Sequence, residues 1–299
     1  MFSRRHPYLY FLLVFSSIVA VTTIGIILLF AISTKDPDFE FGEKVGVIEI
    51  IGVISDAKNT IHNLKIFREE DSIKAIVIRI DSPGGAVGPS QEIFREIRKT
   101  SSSKKVIASM GSIATSGGYY IAAGADGIVA NPGTITGSIG VIMGFANYQE
   151  LLRKIGLVPI VVKSGEYKDM GSPVRKMKEE EHKILQDLTK KIHRQFIMDI
   201  VEGRKMDQAN VESLADGRIF TGEESKELGL VDRLGNAEDA IEWAGRLGGI
   251  KGKILTVYAK EKKFSFLKYI VDSSTKALTS RFVDPSLSAD YLYSPEKGL

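Results

Sequence analysis

The sequence predicts an α/β domain that follows a single apolar helix at the N-terminus. Residues 8–32 contain no charged side chain and are rich in Leu, Ile, Val and Phe. Beyond them, apolar strand-like runs alternate with amphipathic helical stretches, which is typical of an α/β fold. A chain of 299 residues is long enough to bury one large core or two modest ones.

Residues 8–32 are predicted to form a transmembrane anchor, because at about 1.5 Å per residue the run spans the roughly 30 Å hydrocarbon core of a bilayer. Arg4 and Arg5 precede the run, so the positive-inside rule makes residues 1–34 a cytoplasmic N-terminus and anchor, with the rest outside. A cleaved signal peptide is the alternative, since Ala31 and Ser33 resemble a cleavage site. Signal-peptide apolar cores, however, are only about 7–15 residues long.

The remaining elements are predicted from hydrophobic periodicity after a short polar linker at residues 35–43. Buried strands are predicted at residues 44–54, 74–80, 104–110 and 126–130. Helices are predicted at residues 90–100, 116–125, 147–156, 179–204 and 221–229, with an extended segment at 158–165. The last of these helices is capped by Thr221 and stopped by Gly229. An amphipathic helical patch at 266–278 precedes a polar tail.

Composition excludes several classes of site. The chain has no cysteine, which excludes thiolate zinc sites, disulfides and cysteine nucleophiles. Its four histidines are scattered, and His182 and His193, which share a helical stretch, are more than one turn apart. The net charge is +3 with both signs mixed along the chain, so no nucleic acid partner is indicated.

The stretch ATSGGYY, residues 114–120, places Ser116 between a predicted strand and a predicted helix. A serine there lies at a helix N-terminus, where the Gly117 amide and the helix dipole can face a developing oxyanion. Gly117 and Gly118 leave space for a substrate backbone. A plain serine N-cap followed by packing glycines shows the same pattern, so the turn alone leaves both readings open.

A second glycine pair, in DSPGGAV at residues 81–87, directly follows a predicted strand. Pro83 cannot extend the sheet, and the glycines can turn the chain with exposed amides. Ligands of α/β proteins usually sit at such strand ends. One amide here, together with the Gly117 amide, would form an oxyanion hole in which each donor is worth about 3–4 kcal/mol in the transition state. An ordinary strand-ending turn is the alternative.

A serine nucleophile needs a base, and the sequence has no GxSxG motif and no histidine whose context marks it as a partner. The segment VVKSGEYKDMGSP, residues 161–173, offers Lys163 and Lys168. A lysine can act as a base only when neutral, so burial must lower its pKa from about 10.4. From spacing alone, either lysine is more typical of a solvated surface charge.

Taken together, these motifs resemble the signal peptide peptidase SppA family of membrane-anchored serine proteases. The resemblance covers residues 44–236, and the chain is similar to the single-copy form. The motifs occur in the family's order: DSPGG, GSIATSGGYY, TGSIGVI, KSGEYKDMGSP and DGRIFTGEESKELGLVDRLG. Each alone is weak, but the ordered set behind an apolar N-terminal run is specific.

The resemblance implies a Ser-Lys dyad with Ser116 as the nucleophile and Lys168, rather than Lys163, as the general base. Ser138 matches the family position that orients the lysine amine. Gly85 and Gly117 match the oxyanion donors. Thr115 stands where the resemblance leads us to expect alanine.

The resemblance also implies a ClpP/crotonase-like β-spiral fold, assigned to residues 44–260. The sequence itself predicts a helix and flexible tail at residues 261–299. The resemblance further implies a ring-like homo-oligomer whose sites combine the serine and lysine of neighbouring subunits, with no cofactor and no metal. The expected substrates are peptides, namely cleaved signal peptides and unfolded chains. The expected location is the bacterial cytoplasmic membrane, with the protease domain on the extracytoplasmic side.

Two other functions are considered. A crotonase-like acyl-CoA enzyme would share the fold and the glycine amides but would not need Ser116, Lys168 or an anchor. An inactive membrane scaffold would tolerate the loss of Ser116, and the intact site residues argue against it. Labelling with a fluorophosphonate separates the protease from the acyl-CoA enzyme, because only the protease has an activated serine.

The tail has a pattern that suits a protease groove, which binds substrates as added strands. Residues 291–293 read Tyr-Leu-Tyr and follow the small residues Ser286, Ser288 and Ala289. One interpretation is that the tail enters an active site and is trimmed there or blocks it. A disordered terminus is the other interpretation, since chain ends are usually loose.

Overall fold

In this computed structural model, the described residues are 7–33, 42–259 and 290–292. The chain divides into two compact units, Met1–Gly42 and Glu43–Leu299. The first unit contains helix α1 (Pro7–Ser33), 27 residues long. Searched over the described residues only, the helices include none with both the length and the hydropathy that a membrane crossing needs. The anchor inferred from the sequence therefore stays a prediction.

The second unit is an α/β domain. Its strands are β1 (Lys44–Ile51), β2 (Ile73–Ser82), β3 (Gly84–Ala86), β4 (Lys105–Thr115), β5 (Gly127–Ala130), β6 (Ile135–Gly137), β7 (Ile219–Thr221), β8 (Arg233–Leu234), β9 (Leu255–Tyr258) and β10 (Asp290–Leu292). Its helices are α2 (Lys58–Glu69), α3 (Val87–Ser101), α4 (Gly117–Ala122), α5 (Gln149–Lys154), α6 (Glu179–Arg204), α7 (Gln208–Leu214), α8 (Gly222–Glu227) and α9 (Ala237–Leu247).

The main sheet runs in the order β7-β6-β4-β2-β1-β9, and β5 pairs with both β4 and β8. Every pairing that β1, β2 and β4 make in this sheet is parallel. Strands β6 and β7 pair with each other in antiparallel orientation. Strand β4 pairs with β5 at residues 107–109 and with β6 at residues 113–115. The sheet therefore branches along β4, and the second branch ends at the residue before Ser116.

The central strands are buried on both faces, as expected for parallel strands covered by helices. Alternate residues of β2 belong to different clusters: Ile76 and Ile78 join the core that contains Tyr119 and Phe196, whereas Val77 joins the core under α9. This two-sided burial explains why the strands read as continuous apolar runs.

The strands and helices predicted up to residue 156, and those at 179–204 and 221–229, are present with shifted ends. Strand β4 runs five residues further than predicted, to Thr115, and α4 ends early, at Ala122. The prediction of an extended segment at 158–165 finds no strand partner, because residues 158–163 join no sheet and residues 164–171 are bends and turns. The helix predicted at 266–278 lies outside the described residues. Within the predicted tail, residues 290–292 form β10.

Candidate active site

Ser116 lies in a strained strand–turn–helix junction. It caps α4 with φ 53° and ψ −114°, a conformation that non-glycine residues rarely adopt. Its N–H donates to the Gly137 carbonyl (2.8 Å), and its carbonyl accepts from Tyr120 N–H (2.8 Å). The residue is 2% exposed, and its hydroxyl makes no hydrogen bond to any other described residue. Strained backbone of this kind at a helix N-terminus is typical of functional serines, so the geometry makes Ser116 the candidate nucleophile.

The two tyrosines after the glycines explain how so short a helix holds this geometry. Tyr119 and Tyr120 are fully buried in the core. The Tyr119 hydroxyl donates to the Leu230 carbonyl (3.1 Å), and burial raises the pKa of Tyr119 above its usual range. The Tyr120 hydroxyl donates to the carboxylate of Asp199 on α6, and its ring packs on Phe196. These contacts fasten α4 to the core, so the turn that precedes it cannot move freely.

Residues 82–86, which include Gly84 and Gly85 of strand β3, pack directly against the serine turn. The Thr115 hydroxyl donates to the Pro83 carbonyl (3.1 Å). A Cβ on Gly118 would lie 2.9 Å from the Ser82 carbonyl oxygen, so the second glycine of the serine motif is needed for close packing. The structure thus brings the two predicted glycine motifs together beside Ser116.

Gly85 is held by its backbone within β3. Ile54 N–H donates to the Gly84 carbonyl (2.9 Å), and Ala86 N–H donates to the Ile54 carbonyl (2.8 Å). Because the groups of successive strand residues face opposite edges, the N–H and carbonyl of Gly85 face away from Ile54. A Cβ at Gly85 would lie 2.1 Å from the Ile54 carbonyl oxygen, so a side chain there would displace the backbone.

Ser138 directly follows Gly137, the last residue of β6. The Gly137 carbonyl accepts the hydrogen bond from Ser116 N–H. The φ of Ser138 is 51°, in the same uncommon region as Ser116, and the Ser138 N–H donates to the Arg218 carbonyl (2.8 Å). The two serines are therefore neighbours through Gly137, each in a constrained backbone. Sequence alone could not predict that the carbonyl of Arg218 supports Ser138.

Lys168 lies in a turn on the surface, where its N–H donates to the Gly165 carbonyl (3.2 Å). Its side chain is exposed, and its amine makes no hydrogen bond or ion pair with another residue that the structure describes. The structure therefore does not join Lys168 to Ser116 by a hydrogen bond within this single chain. Lys163 differs, because its amine donates to the Glu166 carbonyl (2.7 Å) and to the Asp169 carboxylate (2.5 Å).

An ion cluster of Lys163, Asp169, Arg175 and Glu181 holds the turn that carries Lys168. Arg175 binds Asp169 (2.8 Å) and Glu181 (2.5 Å), and the Glu181 side chain is fully buried at the start of α6. Hydrogen bonds from Arg175 and then from Lys163 hold the pKa of Asp169 well below its usual range. Hydrogen bonds from Arg175 lower the pKa of Glu181 to about 2. Asp169 therefore faces Lys163 and Arg175.

This cluster was missed at the level of sequence, because its members are six residues apart and share no helical period. Helix α9 was also missed, although NAEDAIEWAGRLGG carries its signals. Asn236 and Asp239 form a capping box, and Ala240, Ile241 and Ala244 have helical spacing.

Comparisons with known proteins find related families and relatives. The model of Peptidase family S49 matches residues 98–251, and the model of Clp protease matches residues 45–134. A protein from Synechocystis sp. named as a protease is 47% identical over 70% of this chain and 76% of its own length. A protein from Enterococcus faecium named as a signal peptide peptidase SppA is 38% identical over 67% of this chain and 62% of its own length. A solved ClpP1 mutant from Listeria monocytogenes has a TM-score of 0.44 at 16% identity and covers 65% of this chain and 94% of its own.

Proposed function

The chain belongs to peptidase family S49, the signal peptide peptidase SppA family, and is a serine protease with a ClpP-like α/β fold; from this premise we propose that it is a membrane-anchored endopeptidase with a Ser116–Lys168 dyad. Its substrates are cleaved signal peptides and other unfolded peptides. The observation that carries the proposal is Ser116 itself. It is a strained serine whose hydroxyl bonds to no other described residue, and the helix that begins after it packs against the glycine strand β3.

The proposed reaction is acyl transfer in two steps. Ser116 Oγ attacks the scissile carbonyl carbon while its proton passes to the neutral amine of Lys168. The N–H groups of Gly85 and Gly117 stabilise the oxyanion, and Ser138 orients the amine. Lys168 then returns the proton to the leaving amine, and water releases the acyl group by the reverse sequence.

The proposal includes an assembly in which one copy supplies Ser116 and a neighbour supplies Lys168. Its support is that the Lys168 side chain is exposed and has no ion pair or hydrogen bond in the described part of its own chain. It also includes a bacterial cytoplasmic membrane location, with helix α1 as the anchor and the protease domain outside. The uncharged 27-residue sequence of α1 and the arginines before it support this placement.

Full-length protein in detergent micelles provides the test, with hydrolysis of a synthetic signal peptide and fluorophosphonate labelling as readouts. Ser116→Ala should abolish both, and Lys168→Ala should abolish hydrolysis, at unchanged melting temperature. The rate should rise with pH, because a lysine base must be neutral to accept a proton.

Two variants serve as matched controls. Ser112→Ala changes an exposed serine on β4, the strand that ends just before Ser116, and Lys163→Ala changes the other lysine of residues 161–173. Ser112→Ala should behave as wild type. Lys163→Ala should keep most of its activity, because Arg175 still holds Asp169. Equal losses for Lys163→Ala and Lys168→Ala would refute the dyad. Acyl-CoA turnover without labelling would indicate the crotonase-like alternative.

A further inference from the structure

Strand β4 contains a bulge shortly before it reaches Ser116. Ile80 of β2 pairs with Met110 of β4, and the next recorded pair is Ser82 with Ala114. Strand β2 therefore advances by two residues where β4 advances by four, so β4 carries two extra residues at this point. Beyond the bulge, β4 pairs with β6 and ends directly before Ser116. The bulge therefore sets the direction in which the strand presents the candidate nucleophile.

Side chains from outside β4 hold the first half of the bulge. Backbone groups that a bulge removes from the ladder need other hydrogen-bond partners. The Arg79 guanidinium donates to the Met110 carbonyl (3.0 Å), and the Thr134 hydroxyl donates to the Gly111 carbonyl (2.7 Å). These two bonds fix the carbonyl groups at the point where the strand leaves its regular pairing.

Asp81 holds the second half of the bulge. Its Oδ1 accepts the N–H of Ile113 (3.2 Å), three residues before Ser116. A Cβ at Gly111 would lie 2.8 Å from both Cγ and Oδ2 of Asp81, so the glycine lets the carboxylate lie against the bulged backbone. Asp81 is also the first residue of DSPGG, whose main chain continues to Gly85. Its side chain thus holds the serine strand, and its main chain leads to the proposed oxyanion donor.

From this arrangement we propose that Asp81 is a positioning residue for the reaction at Ser116. The inference rests on the proposed function, because it assumes Ser116 as the nucleophile and Gly85 as an oxyanion donor. The Asp81 carboxylate oxygen keeps the bulge in the conformation that places Ser116 Oγ within reach of a carbonyl carbon whose oxygen is bound by the Gly85 N–H. The role requires an oxygen acceptor at this distance from the backbone and does not require its negative charge.

Three substitutions of Asp81 separate the acceptor from the charge. Asp81→Ala removes the acceptor, and kcat should fall about 10- to 100-fold, because a shift of about 1 Å in a reacting group can cost about 100-fold in rate. KM should stay within about twofold, since the hydrogen bonds that hold β3 to Ile54 are unchanged. Asp81→Asn keeps an oxygen at the same length, and kcat should stay within about twofold. Asp81→Glu keeps the charge but is one methylene longer, so kcat should fall about tenfold.

Fluorophosphonate labelling of full-length protein in detergent distinguishes positioning from loss of structure. The final labelled fraction counts folded sites, and the labelling rate reports the reactivity of Ser116. For Asp81→Ala the final fraction should equal that of wild type, while the labelling rate should fall with kcat. A purely structural role would instead lower the final fraction and leave the remaining sites at the wild-type rate. Ser112→Ala, in the same bulge, and Glu49→Ala, an exposed acid on β1, are matched controls that should stay within about twofold of wild type.

The outcomes also separate this inference from the proposed function. Wild-type kcat and labelling rate in Asp81→Ala would refute the positioning role and leave the protease proposal intact. An Asp81→Asn protein as slow as Asp81→Ala would refute it too, because the charge would then be the required property. If Asp81→Ala does not fold, equal rates for Asp81→Asn and Asp81→Glu would overturn the role. A wild-type protein that neither hydrolyses the synthetic signal peptide nor becomes labelled would overturn the proposed function and this inference together.

Discussion

Thr115 shows how one hydroxyl can couple the two glycine motifs. The residue is fully buried, and its Oγ1 donates to the Pro83 carbonyl in the loop before Gly85. A buried hydroxyl without a partner is costly, so threonine is tolerated where the resemblance suggested alanine because this acceptor is present. The bond links the strand that leads to Ser116 with the strand that carries the proposed oxyanion donor.

Replacement of this hydroxyl should weaken both stability and catalysis. Thr115→Val keeps the shape but leaves the Pro83 carbonyl without its donor, which should cost about 1 kcal/mol and a few degrees of melting temperature. We expect kcat to fall more than KM rises, because the Gly85 amide shifts relative to Ser116. Thr115→Ser is the control and should stay near wild type. A Thr115→Val protein with wild-type kcat would show that the bond has no role in positioning.

At the scale of elements, the ion cluster positions a segment that has no sheet or helix of its own. Residues 164–171 are bends and turns, yet Asp169 is held by Lys163 and Arg175, and Arg175 connects to the buried Glu181 of α6. Breaking a buried ion pair leaves an uncompensated charge, which is strongly destabilising. The cluster thus makes the position of Lys168 depend on the start of α6.

Arg175→Met should remove this support. We expect a melting temperature lower by about 5 °C and a large loss of kcat, because Glu181 loses its ion-pair partner and the Lys168 turn loosens. The neighbouring exposed residue supplies the control, Lys176→Met, which should match wild type. Unchanged activity in a folded Arg175→Met protein would contradict the positioning role.

The pH dependence of stability gives an independent check of the same cluster. The pKa values of Asp169 and Glu181 are lowered in the folded protein. Their contribution to stability is therefore complete above the unfolded-state pKa of about 4 and is lost as the pH falls toward 2. The difference in melting temperature between wild type and Arg175→Met should be constant from about pH 5 to pH 7 and should shrink below pH 4.

At the scale of the whole molecule, the segment that precedes the Lys168 turn is both apolar and exposed. In this segment, Val158, Ile160 and Val162 are 82%, 88% and 96% exposed. Large exposed apolar patches mark interaction surfaces, and a second copy of the chain is the partner that would bring a serine to Lys168. This is the physical basis for the proposed shared site.

Mixing two inactive variants tests that assembly. Ser116→Ala subunits and Lys168→Ala subunits should each be inactive alone. After subunit exchange in an equal mixture, about a quarter of the sites should be active, because each site needs an intact serine from one subunit and an intact lysine from its neighbour. Subunit exchange is verified by native mass spectrometry with one isotopically labelled variant. Mixtures that exchange but remain inactive would place both residues of the dyad in one chain.

The sequence by itself determined the elements that depend on interactions between residues close together in the chain. The α/β class followed from strands buried on both faces, which read as apolar runs, and α6 followed from its helical period and acidic first turn. The turn at Ser116 and the glycines at 84–85 were recognisable because glycine and proline restrict the backbone in known ways.

Tertiary structure alone decided the relations between distant segments. The Thr115 bond to Pro83, the charges that meet at Asp169 and Glu181, and the pairing of β10 with β3 join residues that no sequence period connects. Short strands such as β6 and β7 have only three residues each, too few to show alternation, and exist because a partner strand completes their hydrogen bonds. Local chemistry therefore identified the serine and the glycines, while packing and backbone pairing across the fold decided what lies beside them.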